Sequence, residues 1–445
     1  MFSKLLLPVI TVLATLSSIT EATGRTHNGH TTAPRPTIKP YPYTTGKQFP
    51  ASPRRTRHCF VDALGNGKDD SDNILAAARK CNDGGTIALM DDLYIIGKAL
   101  DLTFLKHVDF DIQGTLKFVP DVAYWEANSF KFTFQGANTM ILFGGEDINI
   151  FGSGKGTIDG SGQTWWDGYA KNSSIYRPMM VGVSGMKGGT WSGLRMINPP
   201  NWFNWITDSN DIIYDNIRLD VFSVNSNSPK NTDGWDTYRT DNVIVQNSIV
   251  NNTDDCFSWK PNSTNIVVQN NQCTGSHGMS IGSLGQYDGV YDLVENVLIY
   301  NTTMKNVGSA ARIKVYPDIN PNVPNNGMSG GGLGMVNNIT YDGMHINSAD
   351  WAIEVTQCYG QSNRTICTEY PSKLAIQDIW FKNFDGVASK KYDPKVATLV
   401  CSSPNVCQCI HTDNINVKPP SGKPAQHVCA NLYRGFLKTL NCVDS

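Results

Sequence analysis

Three aspartates and a histidine stand in short polar blocks, Asn231-Thr232-Asp233, Asp254-Asp255 and Ser276-His277-Gly278, and a basic block, Arg312-Ile313-Lys314, follows them. Carboxylates held close together cannot all ionise, so at least one stays protonated near the working pH and is available as a general acid. In an extended segment alternate side chains share a face, so Arg312 and Lys314 point one way and Ile313 the other. Two cations beside such a cluster suit a substrate that carries its own carboxylate. Aspartates standing singly in turns usually do no more than bond nearby backbone. These need a scaffold that gathers them.

An internal repeat supplies that scaffold. Short β-branched segments begin at Asp211, Asn242, Asn265, Asn296 and Asn338, and each closes on an Asn or Gly. The starts are 31, 23, 31 and 42 residues apart. Repeats of this size are stacked supersecondary units with insertions pushed out into loops. Their unequal spacing disfavours a propeller or a leucine-rich horseshoe. One short strand per unit, each above its equivalent, predicts an all-β parallel β-helix, with weaker units at 108–116, 147–158 and 375–384. Asn247, Asn270 and Asn301 are expected to stack as an amide ladder at one turn. A helix over 70–80, capped by Asp70, Ser71 or Asp72, would shut the N-terminal end.

Coil arithmetic then locates the chemistry. Asp254 lies 12 residues after Asn242, and His277 lies 12 residues after Asn265. A step of 23 back from Asp254 lands on Asn231. Asp233, Asp254-Asp255 and His277 are therefore expected in one column, on coils about 4.8 Å apart.

The four blocks, in this order, resemble glycoside hydrolase family 28, the polygalacturonases. The likeness covers roughly residues 58–442, including Gly282-Ser283-Leu284-Gly285-Gln286-Tyr287. It is nearest the fungal exopolygalacturonases in the stretches 231–238 and 356–360. The resemblance implies a single-stranded right-handed parallel β-helix over 58–445. It also implies exo-hydrolysis of α-1,4-galacturonosyl linkages in pectin or polygalacturonate from the non-reducing end, with inversion. Asp254 would be the general acid, Asp233 and Asp255 the carboxylates that activate water, and His277 the support of the acid. Arg312 and Lys314 would bind a galacturonate carboxylate, with Tyr359 and Asn231 also at the substrate. Thr253 departs from the family, which usually has Gly or Gln there, and it completes a sequon at Asn251 beside the site. Carboxylates about 5 Å apart usually mark a retaining enzyme, so the inversion expected here runs against that general rule.

The remaining features bound the setting. The chain has 445 residues, is 40% hydrophobic and carries 37 basic against 39 acidic residues. No basic tract could neutralise a row of phosphates, so nucleic acid is not an expected partner. Lys4, the mostly apolar run 5–16 and Thr20-Glu21-Ala22 have the layout of a secretory signal over 1–22. Residues 23–57, rich in Thr, Pro and Arg, read as a flexible leader ending near Arg54-Arg55. Eleven cysteines in an exported chain suggest disulfides. Local spacing pairs Cys59–Cys81, Cys256–Cys273, Cys358–Cys367 and Cys401–Cys407, then less clearly Cys429–Cys442, leaving Cys409 over. Six sequons, at Asn172, Asn251, Asn262, Asn301, Asn338 and Asn363, agree with a secretory route. A secreted, glycosylated monomer is expected, without metal or cofactor and without a membrane anchor after signal removal. An insertion at 317–334 could close one end of a cleft. An endo-polygalacturonase, a rhamnogalacturonan or xylogalacturonan hydrolase, a pectate lyase and a non-catalytic polysaccharide-binding β-helix are the competing readings.

Overall fold

β-Branched residues recur at the core-facing positions of successive strands, and this recurrence sets the architecture. Ile212, Val243, Ile266, Val297, Ile339, Ile379 and Ile410 lie in one register, each beside the equivalent residue of the next coil. All seven are buried. Each contributes about 1.5–3 kcal/mol by leaving water. The computed structural model describes residues 26–321, 330–361 and 363–444. The chain is mostly β, with few helices, and its long sheet, parallel but for one short pair, joins 27 strands among the described residues.

Each coil carries three strands, not the single strand read from the repeat. Asn204–Thr207, Trp235–Tyr238, Asp255–Trp259 and Gly278–Leu284 pair in sequence as one column. Asn210–Asp215, Thr240–Gln246 and Ser263–Gln269 form a second. Arg218–Asp220, Ile249–Asn251 and Gln272–Thr274 form a third. Only the second column is long and apolar enough to declare itself in the sequence.

The turns between columns need positive φ, and Asn tolerates it better than other side chains. Asn247, Asn270 and Asn301 have φ of 55°, 56° and 49°. Their amides form the expected ladder, with Asn301 donating to Asn270 at 2.8 Å and Asn270 to Asn247 at 3.4 Å. A second ladder not anticipated runs from Asn338 through Asn296 to Asn265, at 2.7 and 3.1 Å.

The expected N-terminal helix is Ser71–Cys81. It buries Ile74, Ala77 and Ala78, and the disulfide Cys59–Cys81 ties it to the strand Arg57–Phe60. Asp70 is its N-cap residue, yet its carboxylate accepts from the backbone N–H of Leu64 and Ile95 at 2.7 and 2.8 Å instead of capping the helix. All five disulfides read from spacing are formed, and Cys409 is free and exposed. Among the described residues no helix is long and apolar enough to cross a membrane.

The leader differs from its reading as a flexible segment. The signal segment lies outside the described residues, but residues 26–57 are bonded along the coils. Tyr41 and Tyr43 donate backbone N–H groups to the amide oxygens of Gln246 and Gln269 at 3.2 and 3.0 Å. Ile38 and Phe49 pack on an outer apolar face made by Ile213, Ile244 and Val267. Arg55 is buried, 2.9 Å from Asp147 and 3.0 Å from Asp109, although its Nε is not aligned for a hydrogen bond to the latter. Docking through amides and one buried guanidinium leaves no hydrophobic period, which is why the composition concealed it.

Candidate active site

The first column and the loops leading into it carry the polar blocks. His277 donates its backbone N–H to the carbonyl of Asp254 at 2.8 Å, so these residues sit one above the other on adjacent coils. Gly234 likewise donates to Asp255 at 3.0 Å, which places Asp233 beside the pair from the coil before. Asn252 pins the Asp233 loop to its own. Its amide donates to the carbonyls of Thr232, Asp254 and Asp255 at 2.8, 3.0 and 2.9 Å. The arithmetic from the repeat therefore matches the backbone.

The side chains converge accordingly. Asp254 Oδ1 lies 3.0 Å from His277 Nδ1, and Asn231 donates to its other oxygen at 3.2 Å. Ligand-type atoms of Asp254, Asp255 and His277 all lie within 4.8 Å of one another. Asp255 is buried and bonded to the Lys314 ammonium at 2.5 Å and to the Ser280 hydroxyl at 2.7 Å. The face of Tyr359 lies 5.7 Å from the Arg312 guanidinium and 5.4 Å from Lys314. Both cations already answer protein carboxylates. Lys314 serves Asp255, and Arg312 Nε lies 2.8 Å from Glu354, off the line of a hydrogen bond.

Several contributors escaped the sequence reading. Asp236 and Lys260 are buried and form an ion pair at 3.4 Å. Asp236 shares an outward register with Trp205, Ser258, Ser280, Arg312 and Glu354. Arg177 is bonded to Asn231 at 2.7 Å, holding the amide that meets Asp254. A charged residue inside the otherwise uncharged strand Trp235–Tyr238 was the available signal for Asp236.

Burial and charge set these groups apart. Burial alone would raise Asp255, but Lys314, then Arg312 and Lys260, overcome it and hold the carboxyl at about 2. Burial, then the charges of Asp254, Asp236 and Asp255, push Asp233 well above the usual carboxylate range. Burial also raises Asp236 to about 7 against the pull of Lys260. The hydrogen bond that the His277 ring donates to the Asp254 carboxylate raises His277. One buried carboxyl of the cluster is thus held ionised and two favour the proton, the separation that acid–base catalysis needs.

The N-terminal side of this face is walled. The chain folds back at Phe130–Lys131, antiparallel to residues 138 and 139. Phe134 stacks on Tyr238 at 4.1 Å, over Trp205 at 6.0 Å. Gln135 then bridges to the loop after Gly278–Leu284. Its backbone N–H donates to the Tyr287 hydroxyl at 3.1 Å and its amide to Gln286 at 2.7 Å. Of the insertion expected to close a cleft, residues 322–329 lie outside those described. On the C-terminal side a depression of about 280 Å³ opens between His277, Arg312, Trp351 and Tyr392.

An acid–base cluster in a groove on stacked parallel coils defines the chain as an enzyme of the hydrolase kind, and comparison gives the family. The model for glycosyl hydrolases family 28 matches residues 95–441, and the chain belongs to that family of glycoside hydrolases. It is 50% identical over 443 residues to the probable exopolygalacturonase X of Aspergillus fumigatus, covering 99% of each chain. It is 50% identical to the exopolygalacturonase of Cochliobolus carbonum, covering 91% of this chain and 90% of that one. The solved endo-xylogalacturonan hydrolase of Aspergillus tubingensis is similar with a TM-score of 0.78 and 33% identity, covering 87% of this chain and 99% of that one.

Proposed function

We propose that this hydrolase removes galacturonic acid from the non-reducing end of α-1,4-linked galacturonan in pectin, with inversion. The observation that carries the reading is the divided cluster. Asp255 is held ionised beside Asp233, whose carboxyl favours a proton, with Asp254 and His277 at the mouth of the same groove. Asp254, at the mouth of the groove and 3.0 Å from His277, is the acid for the leaving oxygen. Asp255, held ionised, and Asp233 together activate the attacking water and take up its proton. The imidazolium of His277 stabilises the Asp254 carboxylate that forms. Arg312, Lys314, Tyr359 and Asn231 line the substrate.

Two supports favour exo action: the relatives named exopolygalacturonase, and the aromatic wall on the N-terminal side, against which a chain end would stop. The remaining chain then leaves toward the C-terminal coils. We also infer a right-handed β-helix over 58–445, single-stranded in that one chain winds all of its three-strand coils, closed by the helix Ser71–Cys81. We further infer an exported monomer after loss of 1–22, glycosylated at Asn172, Asn262, Asn301, Asn338 and Asn363. Asn251 is half-buried where the other five are exposed, which makes it the poorest of the six acceptors.

A second reading, a xylogalacturonan substrate, rests on the solved relative of that name. Time-resolved product analysis on galacturonate oligomers, with Asp254→Asn as control, separates the readings. Free galacturonic acid of inverted anomeric configuration from the first minutes is expected. A ladder of oligomers, a product of retained configuration or an unsaturated product absorbing in the ultraviolet each defeats a named part of the proposal.

A further inference from the structure

Beyond the catalytic coils the same face continues as a trough. Register carries the outward positions of Arg312 and Lys314 on to Glu354 and Thr356, then to Thr398 and Val400. The depression of about 280 Å³ beside His277 meets a second of about 410 Å³, and the two share Trp351, Glu354 and Tyr392. Each is comparable to the smaller pockets that take organic ligands, about 300 Å³. Trp351 and Tyr392 stack 4.2 Å apart and nearly parallel, with Tyr392 still 38% exposed. Their loop is fixed, because Asp350 accepts from the Ser389 hydroxyl and the Lys391 ammonium, both at 2.7 Å. On the far side the helix Arg364–Glu369 is fastened by the disulfide Cys358–Cys367 and presents Arg364 to the trough. Among the described residues Arg364 makes no ion pair.

We propose that this trough is a distal subsite for uronate-containing oligosaccharide on the leaving side of the scissile bond, with Tyr392 and Trp351 packing a sugar ring and Arg364 receiving a carboxylate. The inference rests on the proposed function, since the sugar and the direction of the chain come from it. An aromatic face matches the apolar face of a pyranose, and the hydroxyls of Thr356 and Thr398 suit its polar edge. A guanidinium with no carboxylate of its own is the group to bind one supplied by substrate. The N-terminal wall offers the substrate no equivalent. It is aromatic, stacked on Trp205 and Tyr238 of the coils before Asp255, and closed by hydrogen bonds to Gln286 and Tyr287.

The test compares kcat/KM on galacturonate dimer, trimer and hexamer for the full chain and for Tyr392→Ala, Arg364→Ala and Arg364→Lys. In the parent, kcat/KM should rise with length. The hexamer-to-dimer ratio should fall about tenfold in each alanine variant, the size of one lost charge-assisted or stacking contact. Arg364→Lys should recover part of it, and the salt dependence of hexamer hydrolysis should weaken only in Arg364→Ala. Arg364 is exposed, so its variants should melt with the parent, which keeps the comparison readable if Tyr392→Ala folds poorly. A parent that cleaves dimer and hexamer equally well, or an Arg364→Ala ratio equal to the parent's, overturns the subsite. A parent inactive on every galacturonate oligomer overturns the proposed function itself.

Discussion

Two clusters of charge are buried on the outer faces of the coils, and they are completed in opposite ways. Beneath the leader, Asp147 accepts from Arg55 and Ser52 and meets His107 at 2.9 Å, while Asn149 donates to Asp109 at 3.0 Å. Every partner there is protein. In the groove, by contrast, Asp233 Oδ1 makes no hydrogen bond among the described residues, although buried, and Asp236 is answered by the Lys260 ammonium at 3.4 Å. Leaving a buried acceptor without a partner costs roughly 1–3 kcal/mol. A fold retains such groups where other chemistry needs them, so the first cluster reads as a fastener and the second as a working site.

The largest test of that contrast is removal of one carboxylate from the open cluster. Asp254→Asn should lower kcat by roughly 10³-fold or more, because acid catalysis and the charge that His277 supports disappear together. Melting should stay near that of the parent, since Asp254 is not a buried core group. A variant that keeps a tenth of parental activity would move the acid elsewhere in the cluster.

The fastener should respond in the opposite sense. Arg55→Ala leaves Asp109 and Asp147 buried without their main cation, a change that costs about 3–5 kcal/mol. Chemical denaturation should show that loss, while kcat/KM of the folded fraction stays within about twofold of the parent. An activity loss as large as that of Asp254→Asn would abolish the distinction between the clusters.

What the sequence disclosed follows the same line. Asp254 and His277 were legible because both lie in contiguous polar blocks, and the repeat converts chain distance into coil position. Asp236 and Lys260 were not, because each is one residue whose partner is set by register rather than by a motif. The long strands of the second column were legible through their apolar runs. The three-residue strands Arg218–Asp220 and Gln272–Thr274 were too short to carry any period. The leader was misread because its contacts with Gln246 and Gln269 span some two hundred residues and involve backbone atoms of no particular sequence.

A smaller effect lies in the dependence of stability on pH. Asp255, held at about 2, ionises more readily folded than unfolded, where the reference is about 3.9. Its contribution is present above about pH 4 and is lost as pH falls toward 2. Asp236, raised to about 7, binds its proton more tightly when folded, so its contribution is present below about pH 4 and is lost as pH rises toward 7. Asp236→Asn should therefore flatten the decline in melting temperature between pH 4 and 7, and leave the acid limb unchanged. A decline of the same slope in the variant would assign it to the other buried carboxyls that burial raises, Asp111 and Asp292, each to about 6, and Asp233.

The smallest predicted change concerns the wall. Gln135 holds it with two hydrogen bonds, and together these contribute about 1–3 kcal/mol. Phe134 would remain stacked on Tyr238 without them, so Gln135→Ala combined with Tyr287→Phe should loosen the wall rather than remove it. A chain end meeting a loosened wall will at times slide past the first sugar, and dimer should then appear as a minor early product beside the monomer. Adding Phe134→Ala removes the packing as well, and the dimer fraction should rise further while kcat/KM on short oligomers falls by less than about tenfold. These residues touch the closed end of the groove and not the proton-transfer cluster, so the pH profile should keep its shape throughout. If the triple variant still releases monomer alone, the groove is closed by some other segment and Gln135 merely decorates it.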